Sequence, residues 1–419
     1  MVPNGWERKP LEKVAEIKTG VAKGKKGLKD PIEVPYLRVA NVQDGYIDLS
    51  EVKTIQIERH QLERYSLQVG DVLMTEGGDF DKLGRGDVWQ GQITPCLNQN
   101  HVFAVRPNQK VLLPYFLGAL SGSNYGKTYF LSCAKRSTNL ASINSTQLKE
   151  FPVLTPPLPE QRKIAKILST WDKAIATTEK LIETSKQQKK ALMQQLLTGK
   201  KRLVNPETGE AFDGKWEEVT LSSIAKQGKG NFTDGDWIES PYIAESGCRL
   251  IQTGNIGVGC FKNKNRKFIS ETSFIELKCN EVKVNDLLIC RLAEPAGRAC
   301  VVPDIGEAKM LTSVDVTIMR VDGAKSSPKY LSYYFSLDHT LYTVSTLCGG
   351  STRSRVSRTN LGKMNLLLPS IGEQQQIASV LTIADKEIGA LEAKLAHFKQ
   401  EKKALMQQLL TGKRRVHVE

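Results

Sequence analysis

Residues 189–200 read KKALMQQLLTGK, and residues 402–413 read KKALMQQLLTGK again. The same offset of 213 carries Glu160-Gln161 onto Glu373-Gln374, Ile164-Ala165 onto Ile377-Ala378 and Leu168 onto Leu381, so a long segment repeats without a gap. In the first copy Ile164, Leu168, Trp171, Ile175, Thr178, Ile182, Ser185, Lys189, Leu192 and Leu196 alternate steps of four and three, which is a heptad seam. The second copy keeps the phase through Ile377, Leu381, Ala384, Ile388, Leu391, Leu395, Phe398, Lys402, Leu405 and Leu409, with lysine at the same seam position. Each segment is approached through Pro or Gly (Pro156, Pro157, Pro159; Pro369, Gly372) and stops at Thr-Gly, where Gly199 and Gly412 suit a left-handed cap. Two long helices of one chain are therefore expected to pair as an antiparallel coiled coil with pseudo-two-fold symmetry. The plainer alternative is two ordinary helices, each facing the core of its own domain.

A chain of 419 residues suits two domains of about 150 residues plus connectors. The expected division is a domain over 1–155, a helix and linker over 156–210, a second domain over 211–368, and a second helix and tail over 369–419. The two domains have diverged far more than the helices, yet landmarks remain. Trp6 and Trp216 open them; Leu37–Val42 corresponds to Ile251–Ile256, each followed by a glycine (Gly45, Gly259); Val69–Met74 corresponds to Val284–Ile289. These runs read as strands between Gly, Asn and Asp turns, while Tyr115–Leu120 and Tyr330–Ser336 read as short helices. The fold class is α+β, two similar mixed α/β domains joined by the two long helices.

The chain carries 59 Lys and Arg against 45 Asp and Glu, a net charge of +14, and both halves on either side of Glu210 are basic. A surplus spread this way points to a polyanion, since phosphate contacts need cationic or amide donors. The composition, 40% hydrophobic and 25% charged, is that of a folded protein. Eight dispersed cysteines with no Cys-x-x-Cys pair indicate neither a zinc site nor a disulfide framework, and Cys279 and Cys290 read as core residues of a reduced protein. Met1–Pro10 has no apolar signal core and no run is long enough for a membrane span, so the expected location is the cytoplasm.

Catalytic motifs fail at the level of spacing. Asn205-Pro206-Glu207-Thr208 is not the Asn-Pro-Pro-Tyr loop with which adenine methyltransferases grip a flipped base, and no Gly-x-Gly-x-x-Gly accompanies it. Gly122 and Gly126 stand one residue too close for a nucleotide-binding loop before Lys127-Thr128. Asp304 and Glu307-Ala308-Lys309 are separated by only two residues, too few to place metal-binding carboxylates on separate strands. No catalytic residue and no metal ligand is therefore expected.

The Trp at each domain start, Arg38-x-x-Asn41-Val42, Gly70-Asp71-Val72-Leu73, and Pro157-Leu158-Pro159-Glu160-Gln161-x-x-Ile164-Ala165 leading to Leu196-Leu197-Thr198-Gly199-Lys200 together carry a resemblance. The chain resembles the specificity subunits of type I restriction-modification systems along essentially its whole length. The second copy departs from the pattern at Pro369-Ser370-Ile371-Gly372, losing a proline just before its helix. The resemblance implies a non-catalytic subunit that reads a bipartite asymmetric site on double-stranded DNA, one half per domain. It further implies two methyltransferase and two restriction/motor subunits as partners, with S-adenosylmethionine, ATP and magnesium on those partners and no cofactor in this chain. The competing functions are a two-domain DNA-binding regulator or DNA-organising protein, and the recognition end of a self-contained restriction-methylation enzyme.

Four regions have the side chains that DNA contact needs. The first is Lys23, Lys25, Lys26 and Lys29, expected directly after a first helix, with Lys226, Lys229 and Asn231 in the corresponding place. The second sets Arg38, Asn41 and Gln43 against Gln252, Thr253 and Asn255; because Asn recurs, the Asn pair also reads as holding the following turn, which leaves Arg38 the better base reader. The third is Arg85, matched by Arg298 with Arg291 upstream, expected at phosphates. The fourth, just before each long helix, sets Lys135, Arg136, Ser137, Thr138 and Asn139 against Ser351, Thr352, Arg353, Ser354, Arg355 and Arg358. For the lysine loops, the plainer reading is a solvated basic surface.

Overall fold

The computed structural model describes residues 2–23, 27–78, 80, 83–136, 140–350 and 354–418. The chain divides into two compact units, Met1–Lys180 with Glu392–Glu419, and Leu181–Leu391. The long helices run Leu158–Leu196 and Ile371–Leu409, 39 residues each, and every unit holds a part of each helix. Both end as the sequence demands: Gly199 and Gly412 have φ of 69° and 66°. A Cβ on Gly412 would lie 2.3 Å from Pro3 Cγ, so both backbone and space require glycine there.

Each unit is built on the same plan. In the first, an antiparallel sheet has the order Ala15–Thr19, Val102–Pro107, Val72–Thr75, Gly86–Val88; in the second, the order is Phe232–Asp234, Val316–Met319, Leu287–Cys290, Ala299–Val301. A smaller sheet follows suit, with Pro31–Leu37 parallel to Leu97–Asn98 and Cys248–Ile251 parallel to Met310–Thr312. Strand Glu7–Pro10 pairs with Pro152–Thr155, and Glu217–Thr220 with Asn365–Leu368, so the chain closes each domain immediately before entering a long helix. The short helices are Pro114–Gly122 and Pro328–Tyr334.

Two local expectations are corrected. Before Lys23 there is no α-helix but a 3-10 turn, Leu11–Lys13, and the strand Ala15–Thr19, which pairs along its whole length with Val102–Pro107. Strand Pro31–Leu37 stops at Leu37, because Val39–Asn41 winds into a 3-10 turn.

The heptad seam is real, and it also feeds both cores. Ile164, Leu168 and Leu409 are buried in the core of the first unit, and Leu196, Ile377 and Leu381 in that of the second. In the first unit the helix segments pair antiparallel, Trp171 meeting Phe398 with ring centroids 5.5 Å apart and Lys402 an ion pair with Asp172. In the second, Lys189 pairs with Asp385. Off the seam, Leu181 and Ile383 stay exposed.

The Glu-Gln that opens each helix has a structural task. Gln161 accepts from the Leu113 amide at 2.8 Å and donates to the carbonyls of Val111 and Pro156. Gln374 does the same with the Ser327 amide and with Lys325 and Pro369. Glu160 accepts from Arg415 and from the Trp6 indole N–H at 3.0 Å. Glu373 takes a bidentate pair from Arg202, both bonds 2.6 Å, while that guanidinium lies 6.0 Å from the Trp216 ring. Arg202 and Arg415 are again 213 residues apart, so the repeat continues past its helices.

Candidate nucleic-acid interface

The turn after the central strand is the same object in both units. Asn41, 3% exposed, accepts from the Arg38 amide at 2.9 Å and donates to the carbonyls of Asp48 and Glu51. Asn255, 2% exposed, accepts from the Gln252 amide and donates to Lys262 and Lys264. These amides hold the turn together, the second of the two roles expected of the pair, with both N–H groups and one acceptance of the oxygen spent on backbone. Asn41→Ala or Asn255→Ala is expected to lower stability by about 1 to 3 kcal/mol each, since buried backbone groups lose their partners. Urea unfolding measures this, and wild-type midpoints would show the amides to be dispensable.

Beside the turn, Arg38 is half-buried, donates to the Glu51 carbonyl at 3.3 Å and lies 3.6 Å from the Glu51 carboxylate. Gln252 and Thr253 are half-buried at the equivalent turn, and Gln43 bonds the Ala40 carbonyl at 2.7 Å.

In the third region the arginines bond chiefly within the fold. Arg298 donates to four backbone carbonyls, those of Ile256, Leu292, Pro295 and Thr253, and so staples the Asn255 turn to the loop after Cys290. Arg291 is 3% exposed, with Nε 3.2 Å from Asp234 and N–H groups on the carbonyls of Val314 and Val356; burial pushes its guanidinium pKa down, with Asp234 opposing. Both guanidiniums thus serve the fold's own backbone and Asp234, Arg291 from a buried position and Arg298 from a half-buried one. Arg85 is half-buried and its Nε has no hydrogen-bond partner among the described residues.

Regions one and four meet in the second unit. Lys226, Gln227, Gly228, Lys229 and Gly230 line a cleft of about 400 Å³ together with Phe232, Thr233 and Arg358. Lys226 and Lys229 are exposed. Asn231 belongs to the loop's construction, donating to the Gln227 carbonyl at 2.7 Å. Arg358 lies 3.9 Å from Asp234, the carboxylate that also holds Arg291, and Arg355 pairs with Asp315 at 3.2 Å. Asp234 was not among the residues expected at the site; it stands five positions after Lys229, in a stretch with Asp236 and Glu239 and no basic residue. In the first unit, Lys135 and Arg136 are exposed on a strand paired with Ala141–Ser142, and the Arg136 guanidinium lies 5.9 Å from the Phe80 ring. Lys23 and Lys29 are exposed, Lys23 lying 5.9 Å from the Tyr36 ring. Lys25, Lys26, Ser137, Thr138, Asn139, Ser351, Thr352 and Arg353 lie outside the described residues.

Among the described residues no group of His, Cys, Asp and Glu could hold a metal ion, and no helix is long and apolar enough to cross a membrane.

The profile of the type I restriction modification DNA specificity domain matches residues 3–187 and, a second time, 213–397. The chain belongs to this family. Within it, a Methanocaldococcus jannaschii protein named as a type I restriction enzyme MjaX specificity subunit is 27% identical over 438 residues, covering 99% of this chain and 95% of the relative. The MjaVIII specificity subunit of the same organism is 26% identical over 298 residues, 69% of this chain and 68% of the relative. The specificity-family fold recurs in a type I restriction-modification S subunit from M. genitalium, with TM-score 0.57, 13% identity and coverage of 98% and 97% of the two chains. It recurs again in a chain solved in work on assembly and conformational transition of the type I R-M system, with TM-score 0.60, 18% identity and 98% of both chains covered.

Proposed function

We propose that this chain is the DNA-reading, non-catalytic specificity subunit of a type I restriction-modification complex, in which each domain reads one half of a bipartite site. The observation that carries this is the duplication of one scaffold with unlike side chains at its turns, Arg38 where the second unit has Gln252, joined to helices of equal length that share one heptad phase and an identical closing stretch, 189–200 and 402–413. A repeated scaffold with diverged readout positions suits two different half-sites, and a constant pair of helices suits a fixed gap between them. The chain gathers DNA and the other subunits; two methyltransferase and two restriction/motor subunits complete the assembly. S-adenosylmethionine, ATP and magnesium are assigned to those partners, no cofactor to this chain, and the cytoplasm is its proposed location.

On this reading the Lys226–Gly230 loop and Arg358 are phosphate contacts. Lys229→Ala and Arg358→Ala are expected to weaken binding to every duplex alike and to reduce the salt slope of log Kd by about one each. Titration of the assembled methyltransferase complex with labelled duplex over a range of salt tests this. Unchanged slopes would remove the cleft from the interface.

A further inference from the structure

Each unit contains a three-residue cluster that neither DNA contact nor core packing explains. In the first, Lys402 on the seam of one long helix pairs with Asp172 on the other, and the Tyr115 hydroxyl donates to the remaining oxygen of the same carboxylate. In the second, Lys189 pairs with Asp385 through Oδ1, and Tyr333 donates to Oδ2 at 2.6 Å. The lysines and aspartates are related by the 213-residue offset, but the tyrosines are not. Tyr115 is the second residue of helix Pro114–Gly122, whereas Tyr333 is the sixth of Pro328–Tyr334, one helical turn further along. Residues four apart share a helix face, so the phenol has shifted by a turn and still reaches the equivalent oxygen. Burial first, and the aspartate second, hold both phenol pKa values above the ordinary range, which keeps the hydroxyls protonated as donors.

A lysine on a coiled-coil seam lowers stability relative to leucine but can specify pairing. Here the specification is narrow. A slip of one turn would set Lys402 beside Leu168, Ser169, Ile175 or Ala176, and Lys189 beside Leu381, Thr382, Ile388 or Gly389; none of these carries a charge. Against a slip of one turn, the observed register alone gives each largely buried ammonium a carboxylate and leaves the second oxygen for the domain's own helix, whereas a whole-heptad slip would offer Glu179 and Glu392 in place of the aspartates that Tyr115 and Tyr333 hold.

We propose that Lys402–Asp172–Tyr115 and Lys189–Asp385–Tyr333 are register locks: positioning residues that fix the axial register of the helix pair and dock each DNA-reading domain onto it. The proposal rests on the specificity-subunit reading, and it assigns to these six side chains the accuracy with which the gap between half-sites is measured. The full chain is expressed with its methyltransferase partner in cells, and methylated sites are sequenced for wild type, for Asp172→Asn with Asp385→Asn, and for Tyr115→Phe with Tyr333→Phe. The Phe pair removes two oxygen atoms and leaves the packing, so it keeps the test open if the Asn pair fails to fold.

The expected result is unchanged half-site sequences with a rise of about tenfold in the share of sites whose gap is one base pair too long or too short. Exchanging the charges, Asp172→Lys with Lys402→Asp and Asp385→Lys with Lys189→Asp, is expected to restore much of the gap accuracy lost in the Asn pair, which a merely stabilising role would not require. Folded Phe variants with wild-type gap accuracy would overturn the locks. A wild-type chain that directs no two-part methylation would instead overturn the specificity reading beneath them.

Discussion

Replacing residues 211–368 with the second domain of another family member is expected to change one half of the methylated site and leave the other half intact. The replaced segment begins after the linker that bears Arg202 and ends at the strand Asn365–Leu368, which pairs with Glu217–Thr220. The graft therefore carries both closing strands and needs only the helix surface that the family profile spans in both copies. Each altered base pair is worth about 1 to 3 kcal/mol in a specific interface, so a half-site of several base pairs is replaced outright rather than blurred. Sequencing methylated DNA from cells carrying the chimera reads the outcome. A change in both halves would show that the two domains do not read independently.

Adding one turn to both long helices is expected to lengthen the gap between half-sites by one or two base pairs while preserving both half-site sequences. Four residues inserted after Thr178 and after Leu391 add about 6 Å to a helix of about 58 Å, close to two base pairs at 3.4 Å each. Both points lie at or beside the places where a helix passes from one compact unit to the other. The pairs within each unit, Lys402 with Asp172 and Lys189 with Asp385, are left in register. Four extra residues also interrupt the heptads and locally unwind the pair, so some affinity is lost. An unchanged gap with full activity would mean that the helices do not set the distance.

The helices were legible because three independent signals coincide in them: a seam of ten positions, a proline approach and a glycine stop. The structure runs them from Leu158 to Leu196 and from Ile371 to Leu409, between the proline or glycine approach and the glycine stop. The domain plan was legible only as landmarks, because its strands are short and pair over long sequence separations, as Cys248–Ile251 does with Met310–Thr312. Asn41 and Asn255 gave themselves away by recurring at equivalent turns. The bonds of Arg291 and Arg298 to backbone carbonyls had no such mark, since an arginine that braces a turn is written with the same letter as one that faces solvent. The Glu-Gln of each helix start was visible as a family mark, but its task emerged only when Glu160 met Trp6 and Arg415, and Gln161 met the loop before Pro114. Those partners lie tens to hundreds of residues away.

The most direct test of the central claim is to sequence methylated adenines in cells that express this chain, its methyltransferase partner, or both, and to assay the purified chain for methyl transfer. The expectation is methylation at a single two-part site when both are present, and none from either alone. Methyl transfer by the purified chain, or methylation of a contiguous site without a gap, would contradict the account.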